Sequence, residues 1–213
     1  TVIPPNGTGI LNNTNASVVL TDFWNSTSFF TNVEGRWRYT IVAMDNVTDT
    51  DTFTGTFDID SIPPQVTLNA PIDNFNTSAT SILFNWTALD TVDSGLRCNL
   101  TINQSVNVSY VESVNGTGTN VTVTGFNEGS YKWNVTCLDN SSNVNTSSAF
   151  VFTVDTTAPV INLDTANDTW QRDGNITLKF TASDAREVDS CILYGNFNTT
   201  WRANATKGGI TSG

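Results

Sequence analysis

The chain has 213 residues, 38% of them apolar, which is enough for one or two packed cores. Nine Lys and Arg stand against 20 Asp and Glu, for a formal charge of -11, and His is absent. That balance disfavours nucleic acid and anionic membrane partners, which reward basic patches, and removes the commonest general base and metal ligand.

No apolar run approaches the roughly 20 residues that span a bilayer, and no basic-then-apolar leader is present, so no membrane-spanning segment is expected. The chain opens on Thr1 rather than Met, which reads as a processed chain or a piece of a longer one.

The N-terminal stretch "NVEGRWRYTIVAMDN" (Asn32 to Asn46) returns as "FNEGSYKWNVTCLDN" (Phe126 to Asn140), with Glu34 on Glu128, Gly35 on Gly129 and Asp45 on Asp139. "DSIPPQVTL" from Asp60 matches "DTTAPVINL" from Asp155, and "FNWTALD" from Phe84 matches "KFTASD" from Lys179 with Asp90 on Asp184. A repeat of this length, about 94 residues, is the size of a β-sandwich module. The chain therefore divides into a back part-module over residues 1–61 (strands C′ to G), a complete module over 62–156, and a front part-module over 157–213 (strands A to C′).

Period-two alternation marks the strands of the complete copy in order. "QVTLNAP" is strand A. "TSILFNWTAL" is B, with Ile82, Phe84 and Trp86 inward, and "RCNLTIN" is C, with Cys98, Leu100 and Ile102 inward. A C′ stretch covers Val106 to Val111. "NVTVTGF" is E, with Val121 and Val123 inward, and "SYKWNVTCLD" is F, with Tyr131, Trp133, Val135 and Cys137 inward; "AFVFTVD" is G. Gly, Asn, Asp and Ser clusters separate these runs, as turn chemistry requires, and no helical period of useful length intervenes. The class is all-β.

Trp86 on strand B and the run "VTGFNEGSYKWNV" resemble a fibronectin type III or immunoglobulin-like module, and "DTTAPV" (Asp155 to Val160), with "DSIPPQV" before it, resembles the joint between tandem immunoglobulin-like repeats of bacterial and archaeal surface proteins (S-layer, stalk or filament type). The resemblance implies tandem immunoglobulin-like sandwiches, one complete and two partial, at an extracellular or cell-surface location. Antibody-type recognition loops are not implied, because the pattern of Cys on B and F with Trp on C is missing.

In that topology C and F are antiparallel neighbours, so the start of one, at Cys98, lies beside the end of the other, at Cys137. A disulfide there suits an oxidising compartment, and two reduced buried thiols are the alternative. Cys191 takes the strand C position of the last copy, and the matching strand F position in the first copy is Ala43, so Cys191 is left as a free thiol or pairs elsewhere.

Asn (27), Thr (35) and Ser (18) make up more than a third of the chain. Nineteen Asn-x-Ser/Thr triplets occur, none with Pro in the middle: Asn6, Asn12, Asn15, Asn25, Asn46, Asn76, Asn85, Asn99, Asn103, Asn107, Asn115, Asn120, Asn134, Asn140, Asn145, Asn167, Asn175, Asn198 and Asn204. Chance placement predicts about seven, so the excess points to N-glycosylation. On strands B, C, E and F the triplets begin at outward positions, so their Ser or Thr also faces outward.

Three acidic groupings stand in turns: Asp45 with Asp49 and Asp51, Asp90 with Asp93, and Asp184 with Glu187 and Asp189. Paired carboxylates hydrolyse glycosides and hard oxygen ligands suit calcium, but no grouping matches an EF-hand loop, so the first reading is solvated turn residues, with calcium at these turns as the less favoured alternative. No catalytic residue, metal ligand or cofactor is assigned beyond covalent N-linked glycan. Trp24, Trp170 and Trp201 are aromatics that stack on sugars or pack at a joint.

The sequence thus predicts a non-catalytic, glycan-sheathed structural subunit of a head-to-tail filament, stalk or coat, partnered by copies of itself. An adhesin or carbohydrate-binding segment is the alternative.

Overall fold

The computed structural model describes residues 2–3, 33–45, 47–165, 170, 172, 174, 176–197 and 199–210. Its regular elements are all strands. The chain forms two compact units, the first of Thr1–Asn74, Ile82–Val123 and Tyr131–Phe152, the second of Phe75–Ser81, Thr124–Ser130 and Thr153–Gly213.

The first unit begins with β1 (Val2–Ile3), β2 (Gly35–Met44) and β3 (Thr50–Ile59), an antiparallel sheet in that order. β2 and β3 pair without a break from Gly35↔Ile59 to Met44↔Thr50, and by the repeat they hold the F and G places of the first copy. Trp37 is buried and stacks on Phe57 with ring centroids 6.1 Å apart. Gly55 lies opposite Tyr39, whose ring covers it so closely that any Cβ there would overlap the ring.

The middle copy supplies β4 (Gln65–Ala70), β5 (Phe75–Thr77), β6 (Ser81–Leu89), β7 (Gly95–Ile102), β8 (Ser105–Val114), β9 (Gly118–Thr124), β10 (Gly129–Leu138), β11 (Val144–Thr146) and β12 (Phe150–Val154). One sheet runs β4-β6-β9 and the other β12-β10-β7-β8, with β11 added on β10. β5 lies by the end of β12, where the Asp155 amide donates to the Thr77 carbonyl. The order is A-B-E against G-F-C-C′, an immunoglobulin-like β-sandwich.

Burial follows the period of two. Ile82, Phe84, Trp86 and Ala88 of β6 face Cys98, Leu100 and Ile102 of β7 and Trp133, Val135 and Cys137 of β10, all buried. Phe84 meets the Trp133 and Phe152 rings edge-on at 5.0 and 5.7 Å. Trp86 satisfies its buried Nε1–H on Ser113 Oγ at 3.2 Å, which accounts for a fully buried serine at the end of β8. The inward residues of β9, Val121 and Val123, and Tyr131 of β10 are half-buried, because they lie near sheet margins.

Cys98 and Cys137 are direct register partners in β7 and β10 and form a disulfide. Cys191 forms none.

In the second unit, β13 (Val160–Leu163) pairs β14 (Phe180–Ser183), and β15 (Val188–Gly195) pairs β16 (Arg202–Ile210) with a register shift between Leu193 and Tyr194. Ala182 and Val188 are buried, while Val160, Ile161, Leu163, Ile192 and Tyr194 stay exposed. The tip of the β2–β3 hairpin is likewise apolar and open, at Ile41, Val42, Met44 and Phe53. Short β5 and β11 carry no periodicity of their own and are not foreseen by alternation, and β8 extends three residues past the expected C′ stretch to place Ser113.

Replacing both Cys98 and Cys137 by Ala opens a 39-residue separation, and in the chain-entropy picture this costs about 4 kcal/mol. Urea denaturation of the double variant should show that loss with the fold retained, as read by circular dichroism.

Candidate functional site

Eleven of the nineteen triplet asparagines fall among the described residues; Asn6, Asn12, Asn15, Asn25, Asn46, Asn167, Asn175 and Asn198, and also Trp24, lie outside them. None of the eleven is buried. Asn76, Asn103, Asn107, Asn120, Asn140, Asn145 and Asn204 are exposed, and Asn85, Asn99, Asn115 and Asn134 are half-exposed. Asn85 and Asn120 stand on the outer face of the β4-β6-β9 sheet, and Asn99 and Asn134 on that of the opposite sheet.

The amides differ in how they are engaged. Asn115 is fully committed: its Nδ2 donates to the Asp90 and Asp93 carbonyls at 2.8 and 2.7 Å, and its Oδ1 accepts from the Asp90 amide at 2.8 Å. Asn85 donates to Asn120 Oδ1 and the Thr119 carbonyl, while Asn69 donates to Asn85 Oδ1, so an asparagine ladder crosses the outer face of β4, β6 and β9. Asn204 donates to the Gly195 and Arg202 carbonyls, and Asn145 to the Pro64 carbonyl. Among the described residues, Asn76, Asn107 and Asn134 make no side-chain hydrogen bond.

The second feature is a group of carboxylates at one pole of the middle sandwich. Carboxylate oxygens of Asp60, Asp93 and Asp139 all lie within 4.8 Å of one another. They come from three segments: Asp60 follows β3, Asp93 sits in the β6–β7 turn, and Asp139 follows β10. Asp93 Oδ1 and Oδ2 accept from the Asn140 side-chain and main-chain nitrogens at 2.7 and 2.9 Å. Asn143 spans the group, donating to Asp139 Oδ2 at 2.9 Å and to the Asp60 carbonyl at 3.2 Å.

Asp90, in the same β6–β7 turn as Asp93, is 6% exposed. Its Oδ1 accepts the Val92 and Asp93 amides at 2.8 and 2.9 Å, while its Oδ2 is buried without a partner, as is Asp60 Oδ2. Burial first, and then the charges of Asp90, Asp139 and Asp93, hold the Asp60 carboxyl above its ordinary range, against the opposing hydrogen bond from the Ile62 amide.

Reading along the sequence joins Asp90 to Asp93 within one turn but leaves out Asp60 and Asp139. The repeat held the missing signal, since Asp60 matches Asp155, Asp90 matches Asp184 and Asp45 matches Asp139. The other two acidic groupings do not gather with it. Asp45 closes its own turn by accepting the Val47 and Asp49 amides, and Asp184 does so by accepting the Arg186 amide. Trp170 and Trp201 are 97% and 71% exposed. A groove of about 350 Å³ between Asn103, Gln104, Lys132 and Trp133 is bordered by the acceptors Asn103 and Asn134.

No helix among the described residues is long and apolar enough to cross a membrane. No protein-family model and no curated protein matches the sequence. Among solved structures the chain is similar to the Clostridium thermocellum CbhA fibronectin(III)-like modules, at 14% identity and a TM-score of 0.41 over 68% of this chain and 80% of that one.

Asn115→Ala removes three hydrogen bonds that tie the β8–β9 turn to the β6–β7 turn, and should lower stability by roughly 2 kcal/mol in unglycosylated protein. Asn134→Ala and Asn107→Ala should each stay within about 0.5 kcal/mol in the same denaturation assay.

Proposed function

We propose that this chain is a non-catalytic structural glycoprotein of the cell exterior, sheathed in N-linked glycan, that assembles head to tail with copies of itself. The observation that carries the reading is the coincidence of motif and strand period. The alternate positions of β6, β7 and β10 build the core, and the triplets begin at the intervening ones, so acceptors occupy both outer faces. The disulfide suits an oxidising compartment.

Assembly is supported at the ends. The β2–β3 hairpin matches strands F and G of the repeat, while residues 157–213 match strands A to C′, so the two are complementary parts of one repeat. Both expose apolar side chains, Ile41 and Phe53 on one and Ile161 and Leu163 on the other. Heterologous contacts of this kind, repeated without closing, generate filaments.

A second reading, a carbohydrate-binding segment, rests on the nearly full exposure of Trp170. Specific retention on a glycan array, lost in Trp170→Ala, would favour it.

Two experiments test the preferred reading. Intact mass before and after enzymatic deglycosylation of native protein should differ by many glycan units; a single mass equal to the bare polypeptide sinks the sheath. Because a glycosidic bond replaces one amide hydrogen, glycopeptide mapping should find Asn107 and Asn134 occupied more fully than Asn115.

The docking is tested by a cysteine. Ala43 and Cys191 are the repeat counterparts of Cys137 and Cys98, which pair directly. Ala43→Cys should therefore yield a ladder of disulfide-linked oligomers on non-reducing gels, abolished by Cys191→Ala. A purely monomeric Ala43→Cys protein at high concentration overturns the head-to-tail contact.

A further inference from the structure

We propose that the groove beside Asn134 seats the first sugars of the glycan attached to Asn134, so that this glycan packs on the protein as part of its structure instead of extending freely into solvent. The groove, of about 350 Å³, is lined from β7 by Thr101, from β10 by Lys132 and Asn134, and from the segment entering β12 by Ala149. Its walls are set by the backbone. Thr101 is the direct register partner of Asn134, so the two side chains stand together on the outer face of the sheet. Asn103 and Gln104 make the two-residue β7–β8 turn, both left-handed with φ of 48° and 66°, as a tight hairpin turn requires. Asn103 donates its amide to the Lys132 carbonyl at 2.8 Å and accepts the Lys132 amide on Oδ1 at 2.9 Å, which locks the turn against β10. A site built before its ligand arrives loses little order on binding.

The polar side chains around this groove are uncommitted. Among the described residues the Lys132, Gln104 and Asn134 side chains make no hydrogen bond, and the two ion pairs there are Arg36–Asp58 and Arg97–Glu112, neither of which uses Lys132. A lysine offers three donors, and a glutamine two donors with one acceptor oxygen. That set matches the hydroxyl and ring oxygens of a pyranose, while the aliphatic stem of Lys132 and the Ala149 methyl suit its C–H faces.

Position names the occupant. Asn134 is itself part of the lining, so a sugar bonded to its Nδ2 is held at the groove by the covalent link and meets it as an intramolecular ligand, at high effective concentration. The volume lies at the low end of the range for small-ligand sites, about 300–1,000 Å³, which suits the root of a glycan and not its outer branches. Asn103 also begins a triplet in this lining, but its Oδ1 is held by the Lys132 amide, so its side chain is fixed in the turn. The side chain of Asn134 has no such tie and is free to direct its sugar inward. The seat rests on the glycosylation proposed for Asn134 and adds to it a noncovalent contact.

The test uses the full chain with its native glycans in a double-mutant cycle read by Tm. Glycopeptide mapping comes first, and a bare Asn134 overturns the glycan reading at this residue and the seat with it. With Asn134 occupied, Asn134→Gln removes this one glycan and should lower Tm by about 2–4 °C. In a Lys132→Ala/Gln104→Gly background the same change should move Tm by less than about 1 °C; glycine at 104 accepts the left-handed turn. Lysine acetylation by a water-soluble ester gives a second readout, because the chain's lysines are Lys132, Lys179 and Lys207. Lys132 should react several-fold more slowly in the glycosylated chain than in Asn134→Gln, with Lys179 and Lys207 unchanged. An equal Tm loss in both backgrounds, or Lys132 labelled equally fast with and without the glycan, overturns the seat and leaves the glycosylation of Asn134 standing. Should the triple variant fail to fold, the acetylation rates decide.

Discussion

Direct pairing of Cys137 with Cys98 across β10 and β7 fixes the register on which the rest of the middle sandwich depends. With these residues opposite each other, Val135 falls on Leu100 and Trp133 on Ile102, all four on the core side. The intervening partners, Asn134 with Thr101 and Thr136 with Asn99, then lie on the outer face. A slip of one residue would bury the asparagines and expose the tryptophan, so the covalent link and the hydrophobic pattern enforce the same answer. From that register Trp133 meets Phe84 on the opposing sheet, and Trp86 next to it reaches Ser113. The core and the acceptor surface are therefore two consequences of one pairing.

The joints between copies use a second device, and it is repeated in detail. Glu34 accepts the Ser61 amide and hydroxyl, and Glu128 accepts the Thr156 and Thr157 hydroxyls, so a glutamate just before strand F holds the chain leaving strand G in both copies. The turn after strand F is also reproduced. Asp45 and Asp139 each accept an amide four residues on, and Thr48 and Ser142 each take φ of 73°. A left-handed conformation at a non-glycine residue costs about 1 kcal/mol, and the aspartate side chain, by bonding the amides of its own turn, offsets it. The chain thus keeps short-range geometry over a repeat whose sequence has drifted widely.

Alternation was enough to read the sandwich, because β6, β7 and β10 each present runs of inward residues that no helix period matches. What it missed has local causes. β5 and β11 are three residues long and show no period, and Ser113 is buried for a hydrogen bond that no polarity pattern announces. The carboxylate group was only half legible. Asp90 and Asp93 are neighbours in sequence, but Asp60 and Asp139 arrive from separate segments, brought there by the paths of β3 and β10. The repeat carried the information, since the four aspartates have counterparts in adjacent copies for all but Asp93. Reading them as separate solvated turns treated each loop alone. The acceptor amides were less legible still: the same triplet yields a solvent-facing Asn134 and an Asn115 tied on both sides, and only tertiary contacts separate them.

That separation has a spatial logic. The acceptors whose amides are engaged near the acidic pole, Asn115, Asn140 and Asn145, bond to Asp90, Asp93 and Pro64, the groups that shape the turn and the joint. Of those without side-chain bonds, Asn107 and Asn134 belong to the β7-β8-β10 side of the sandwich and Asn76 to β5. A glycan on Asn134 would cover a sheet face at no structural cost, whereas one on Asn115 would have to break a bond that closes the pole. The same hydrogen bonds that build the pole thus tie its triplet asparagines into the turns and the joint, and on the sheet faces Asn85 and Asn120 are tied to each other while Asn134 is not.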